Sequence, residues 1–185
     1  MTHRVTTHGH GERILAAEDM IVSKTDTRGV MTYVNQTFVD ISGYSESELL
    51  GRPHNLIRHP DMPRGVFKLL WDTIAAGHEV FAYVVNRAKD GQRYWVLAHV
   101  TPTFGPGGAI VGYHSSRRAP SRAAVRQVEP VYARMREEEA RHANARDAAQ
   151  ASLDLVAGLL ADQGLGYDEF VWSIITGAGD LAAAR

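Results

Sequence analysis

Cysteine is missing from all 185 residues of this chain. Its absence excludes disulfides, thiolate nucleophiles, iron–sulfur ligation, cysteine zinc sites and cysteinyl adducts to a bound cofactor. Any metal or redox chemistry is left to histidine, carboxylates or a bound organic group. Charge of one sign is missing as well: 20 Lys and Arg stand against 21 Asp and Glu, a formal net charge of −1. Polyanion binders need a clearly basic balance, so no nucleic-acid partner is expected. No apolar run reaches the roughly 18 residues that cross a bilayer, and residues 1–11 are polar. The expectation is no signal peptide, no membrane span and a cytoplasmic location. Enzyme signatures are lacking too. There is no Gly-x-Ser-x-Gly elbow, phosphate loop, kinase motif or paired-carboxylate arrangement, so the chain is not expected to be an enzyme.

What remains is a globular composition, 44% hydrophobic, at a length that suits one domain of about 100–150 residues plus an extension. Composition shifts near residue 119 from glycine and β-formers to Ala, Arg, Glu and Leu. Residues 21–25 and 30–34 read as a hairpin around Asp26-Thr27-Arg28-Gly29. Two brief helices follow, the second opened by the capping box Ser45-Glu46-Ser47-Glu48. Residues 53–63 hold three prolines and two histidines, which disfavours regular structure until Pro63 opens a helix. In that helix Val66, Phe67, Leu70, Trp71 and Ile74 recur at helical spacing, and Gly77 stops it. Residues 80–86, 94–103 and 109–117 read as three strands separated by glycine-rich turns. The predicted fold class is α+β: a five-stranded antiparallel sheet with short helices on one face.

Beyond residue 119 the pattern is helical. Val125, Val128, Tyr132 and Met135 form a short heptad-like seam, and Pro130 is expected to split it into two helices. The seam either mediates dimerisation or packs back on the sheet. A last helix from Tyr167 to Ile175, rich in aromatics, serves either as a docking element or as a cap on the chain's own helices.

Asn35-Gln36-Thr37-Phe38 with Ser42-Gly43-Tyr44, Gly51, then Asn86-Arg87, Gly91 and Tyr94-Trp95, resembles the PAS sensory fold. Pro53-His54-Asn55-Leu56-Ile57-Arg58-His59-Pro60-Asp61-Met62-Pro63 resembles, more narrowly, the flavin-binding PAS domain of bacterial aerotaxis receptors. The resemblance extends over about residues 20–135. It implies a non-covalent FAD whose redox state reports respiratory electron flow, with Arg58, His59 and Asp61 needed for flavin binding. On this reading residues 1–17 are a flexible or capping segment, 18–118 the PAS sensor and 119–185 a helical output or dimerisation extension. The expected partners are a second copy, as a homodimer, or a chemotaxis or other signalling protein in trans.

The residue types suit a flavin, which presents a wide apolar ring, a polar pyrimidine edge and a pyrophosphate. Arg58 offers a permanent fork for phosphate or a ring carbonyl. Asp61 either holds that fork or accepts from ribose hydroxyls, and His59 donates or accepts near neutral pH. The plainer alternative is that Arg58 and Asp61 only pair to stiffen the loop. Trp71, one turn beyond Phe67, either stacks on an aromatic ligand ring or is core. Asn86 closes a β-run, where its amide meets the pyrimidine edge or simply ends a strand. Asn35 is most simply an N-cap, with a cofactor role as the minor alternative. Of Tyr94 and Trp95 only one can face a pocket, because neighbours in a strand alternate.

Where aerotaxis sensors commonly carry a Trp at the start of the third strand, this chain has Val80 and Phe81, a smaller wall. His54, His59, His78, His99 and His114 leave haem as the alternative cofactor, although no metal-ligand spacing links them. A cofactor-free interaction module is the other alternative. In the flavin reading, reduction changes hydrogen bonds near Asn86, and the sheet passes that change to the helix after Arg118.

Overall fold

The computed structural model describes residues 6–8 and 11–177. The flexible start expected for residues 1–17 lies partly outside them. Strands β3 (Ile21–Thr25) and β4 (Met31–Val34) form the first hairpin. Asp26 Oδ1 accepts from the amides of Arg28 and Val30, both at 2.9 Å, and Gly29 takes the left-handed conformation that closes the turn (φ 78°). Helix α1 (Gln36–Ser42) is capped by the Asn35 side chain and ends at Gly43, again left-handed. The capping box of Ser45 and Glu48 opens α2 (Glu46–Leu49). The proline-rich segment carries a single 3-10 turn, His54–Ile57. Helix α3 (Arg64–Ala75) then begins directly after Pro63 and stops before Gly77.

Strands β5 (Val80–Arg87), β6 (Arg93–Phe104) and β7 (Ile110–Arg118) complete an antiparallel sheet in the order β4-β3-β7-β6-β5. The five strands expected from the sequence are all present. Two more extend the sheet: β1 (Thr6–His8) and β2 (Glu12–Ile14) form a small hairpin, and β2 pairs parallel with β6 at Glu12 and Arg93. The pairing lies just beyond the last β6–β7 pair, Leu97 with Arg118. It occupies backbone groups of β6 that β7 has left free. Three-residue strands carry too little alternation to be seen in a sequence.

The extension forms α4 (Arg122–Glu139), α5 (Ala145–Ala161) and α6 (Tyr167–Ile175). Pro130 does not divide the first of these, contrary to the sequence expectation. Helix α4 runs through it because Val128 and Tyr132, on either side, are both buried on one surface, while Pro130 itself is exposed. The carbonyl left without its amide donor stands near solvent-exposed Arg126, and packing of the flanking turns overrides the local cost.

Alternation sorts the sheet into two faces. Val84, Asn86, Ala98, Val100, Tyr113, Ser115 and Arg117 point toward α3 and the proline-rich segment, where they line a cavity. Phe81 and Trp95 point the opposite way, toward the extension: Trp95 meets the Tyr132 ring at 6.0 Å, and Phe81 meets Trp172 at the same distance. The seam of Val125, Val128, Tyr132 and Met135 is therefore buried within this chain, in the same core as the sensor's own side chains. Helix α6 packs against β5, α4 and α5 with Phe170, Val171 and Ile174 buried, which makes it a cap.

Candidate cofactor site

Between the sheet and α3 lies a cavity of about 420 Å³. Its floor is the inward row of β5, β6 and β7 together with Ser23 and Thr25 of β3. Helix α3 supplies the opposite wall through Phe67, Leu70, Trp71 and Ile74, the face that its helical spacing had marked as apolar. Pro53, His54, Asn55 and Arg58 close one end, and Arg28 with Gly29 lies at the rim. Trp71 is 37% exposed, so it is a rim residue as well as a packing one. Its ring meets Tyr113 edge-on at 5.5 Å. Gly29 leaves room for it, since a Cβ at that position would stand 2.8 Å from the indole.

Of the nine residues singled out in the sequence, five line this cavity: His54, Arg58, Phe67, Trp71 and Asn86. The half-buried Arg58 lays its guanidinium over the Phe67 ring at 4.5 Å and donates to the Met62 carbonyl at 2.9 Å. Burial lowers its pKa, with Arg64 adding to the effect and Glu139 opposing it. Asn86, at the end of β5, forms a bridge with Arg58 and is 3% exposed, with no partner for its Nδ2. His54 is held neutral, primarily by burial and secondarily by the neighbouring Arg117 charge.

The other four lie elsewhere. His59 turns back on its own loop, its Nδ1 accepting from the Asp61 amide at 3.1 Å. Burial lowers its pKa, Asp61 opposes this, and Arg93, Arg87 and Arg136 reinforce it. Asp61 lines a smaller cleft against α4, where Arg136 Nη1 donates to its backbone carbonyl at 2.8 Å. Asn35 caps α1 and ties it to β3: Oδ1 accepts from the amides of Phe38 and Val22, and Nδ2 donates to the Met20 carbonyl. Tyr94 shares the inward face and pairs with Asn86, but it sits deeper than the cavity wall and is fully buried. Burial raises its phenol pKa. Of the histidines considered for haem, only His54 lines the cavity, while His99 stacks on Phe81 outside and lies 2.7 Å from Glu79.

Sequence reasoning missed Arg117 and Ser115. Alternation along β7 groups Tyr113, Ser115 and Arg117 on one face, but nothing in the strand's own sequence marks that face as the buried one. Arg117 Nη2 donates to Ser23 Oγ at 2.6 Å and to His54 Nε2 at 2.5 Å. Its Nη1 and the Ser115 Oγ have no partner. Together with Asn86 Nδ2, these give the cavity wall three buried polar atoms left unmatched by the protein. Two are N–H donors and the third a hydroxyl, so the set suits a ligand that, like a flavin, carries several carbonyl and ring-nitrogen acceptors.

A curled antiparallel sheet enclosing a ligand-sized cavity against short helices defines a PAS sensor domain. The sequence profile described as the PAS fold matches residues 9–115, and the chain belongs to that family. It is 42% identical over 118 residues to the aerotaxis receptor of Escherichia coli K12, covering 64% of this chain and 23% of that protein. It is also 31% identical over 97 residues to the nitrogen fixation regulatory protein of Klebsiella pneumoniae, covering 52% of this chain and 20% of the relative. The chain thus spans about a quarter or less of these relatives. Among solved structures it superposes on the dark state of the blue-light photoreceptor Aureochrome1 LOV. The TM-score is 0.52 at 23% identity, over 63% of this chain and 84% of that one. The LOV domain of the Erythrobacter litoralis EL346 blue-light-activated histidine kinase gives 0.51 at 20% identity, over 54% and 94%. At those identities the likeness is one of fold. Among the described residues, no helix is long and apolar enough to cross a membrane.

Proposed function

We propose that this chain is a cytoplasmic, non-enzymatic FAD-binding redox sensor of the aerotaxis or energy-taxis type, signalling from its PAS domain through its C-terminal helices. The observation that carries the reading is the set of buried polar atoms without partners on Asn86, Ser115 and Arg117, all on residues lining one cavity. Unmatched buried polar groups are rare and costly, and a ligand that matches them removes the cost. FAD rather than a shorter flavin is supported by the cationic rim. Arg28, Lys68 and Arg58 are suited to a pyrophosphate, and the exposed Trp71 is suited to stack on an adenine.

When bound, the flavin supplies reversible electron uptake; the protein supplies position and relay. Phe67, Leu70 and Val100 would hold a flat ring between helix and sheet, and Asn86 would meet its polar edge. Asn86 shares β5 with Tyr83, whose carbonyl accepts from the Tyr132 hydroxyl of α4 at 2.6 Å. A change of hydrogen bonding at Asn86 therefore strains the strand to which α4 is tied. About 1.4 kcal/mol between the two states suffices for a tenfold shift in output. The output partner is a second copy of the chain or a chemotaxis or other signalling protein in trans, with residues 119–185 as the output element.

The test is the visible spectrum of the untreated protein before and after dithionite, followed by identification of the released cofactor. Flavin bands that bleach on reduction, with FAD released on denaturation, are the expected result. A Soret band would replace flavin by haem, and a colourless protein that takes up neither FAD nor FMN would overturn the sensor reading.

A further inference from the structure

Every charged side chain that lines the cavity is basic: Arg28, Arg58, Lys68 and Arg117. Three of the four reach solvent or lie in part at the surface. Arg117 does not, being 3% exposed. Among the described residues it makes no ion pair with a carboxylate. Its partners are neutral, namely a serine hydroxyl, the acceptor nitrogen of the half-buried His54 and the face of Phe38, 5.0 Å away. Arg13 shows the contrast, since its guanidinium has the Ile41 carbonyl and the Asp90 carboxylate. A buried charge without a counter-charge is strongly unfavourable, and burial pulls the Arg117 pKa down to about 10. Such a group persists where the missing negative charge comes from outside the chain, and the space Arg117 faces is the cavity.

We propose that Arg117 is the specificity residue of this cavity, favouring the occupant in its negatively charged reduced form over its neutral oxidised form and so setting the potential at which the sensor switches. The inference rests on the flavin reading. In the titration, two electrons from dithionite and one proton from water convert the neutral oxidised ring to a singly charged anion, with the charge on the pyrimidine edge. The guanidinium lines the same cavity wall as Asn86, the group suited to that edge. Its attraction acts on the reduced anion and not on the oxidised ring, which is what a shift in potential requires.

The experiment uses the full chain and the variants Arg117→Gln and Arg117→Lys. Redox titration against free FAD gives the ratio of affinities for reduced and oxidised flavin. The wild type favours the reduced form, Arg117→Gln lowers the ratio at least about tenfold, close to 30 mV for a two-electron couple, and Arg117→Lys retains most of it. The second measurement is thermal unfolding of flavin-free protein. Here Arg117→Gln melts at the same temperature as the wild type or higher, because it removes an unpaired buried charge while leaving a donor for Ser23 or His54. An unchanged affinity ratio in Arg117→Gln overturns the proposal while leaving the flavin reading intact. A lower melting temperature of the flavin-free variant marks Arg117 as a structural residue and also overturns it. A wild type that binds no flavin overturns both.

Discussion

The Tyr132 hydroxyl donates to the Tyr83 carbonyl at 2.6 Å, joining the middle of α4 to the edge strand β5. An edge strand leaves one row of backbone groups without strand partners, and here the extension takes one of them. Three residues along, on the other face, the same strand presents Asn86 to the cavity. Cavity wall and extension thus meet on a single β-strand.

Tyr132→Phe removes that bond while keeping the ring against Trp95. The buried Tyr83 carbonyl loses its partner, at a cost of about 1–2 kcal/mol. At about 2–4 °C per kcal/mol for a chain of this length, thermal unfolding detects the change. Hydrogen exchange should rise in α4 before it rises in β6.

Gly65 sits where α3 meets α5. A Cβ there would clash with Ser152 Oγ and stand 2.9 Å from the Leu153 amide nitrogen and 3.0 Å from Met135. Gly65→Ala should therefore destabilise the chain by about 1–3 kcal/mol, the usual range for overpacking. The Gly65 amide and Ser152 Oγ both donate to Glu139 Oε1, so the loss concentrates in the extension. Limited proteolysis between α4 and α5 checks it.

Acid should weaken the α2 region through Glu48. The Lys89 ammonium, followed by the Ser45 amide and hydroxyl, draws its carboxyl from 4.5 down to about 2. A folded-state pKa below the unfolded one means stabilisation that is fully present above the unfolded value and lost as pH falls through the folded one. The stability gap between wild type and Glu48→Gln is expected at about pH 6 and should narrow by about pH 3. Because the pair is exposed, the gap is small and shrinks further in high salt.

Asn86→Ala removes one of the three unmatched polar groups from the cavity wall. FAD affinity should fall about tenfold, the equivalent of one hydrogen bond of about 1.4 kcal/mol. The folded protein should be barely altered, since Asn86 Nδ2 has no protein partner to lose. Equilibrium titration with FAD and a thermal melt separate the two effects.

Local chemistry determined much of this molecule. Gly29, Gly43 and Gly77 mark turns and helix ends because they adopt conformations that other residues avoid. The spacing of Val66, Phe67, Leu70, Trp71 and Ile74 specified both α3 and its inward face. Asn35 was legible as a cap for the same reason: its side chain acts on neighbours within a few residues. The zero count of cysteine excluded a thiol adduct on composition alone. Tertiary structure decided whatever depended on a partner distant in the chain. His59 and Asp61 follow Arg58 immediately, yet only Arg58 lines the cavity, because the 3-10 turn and Pro60 set the direction of each side chain. Pro130 stays within a helix because the surface beneath α4 holds both halves in line. Arg117 became visible only once the chain had folded to bring it against Ser23, 94 positions earlier. A buried charge is defined by what surrounds it, and those neighbours come from β3, α1 and the proline-rich turn, which no local pattern in β7 encodes.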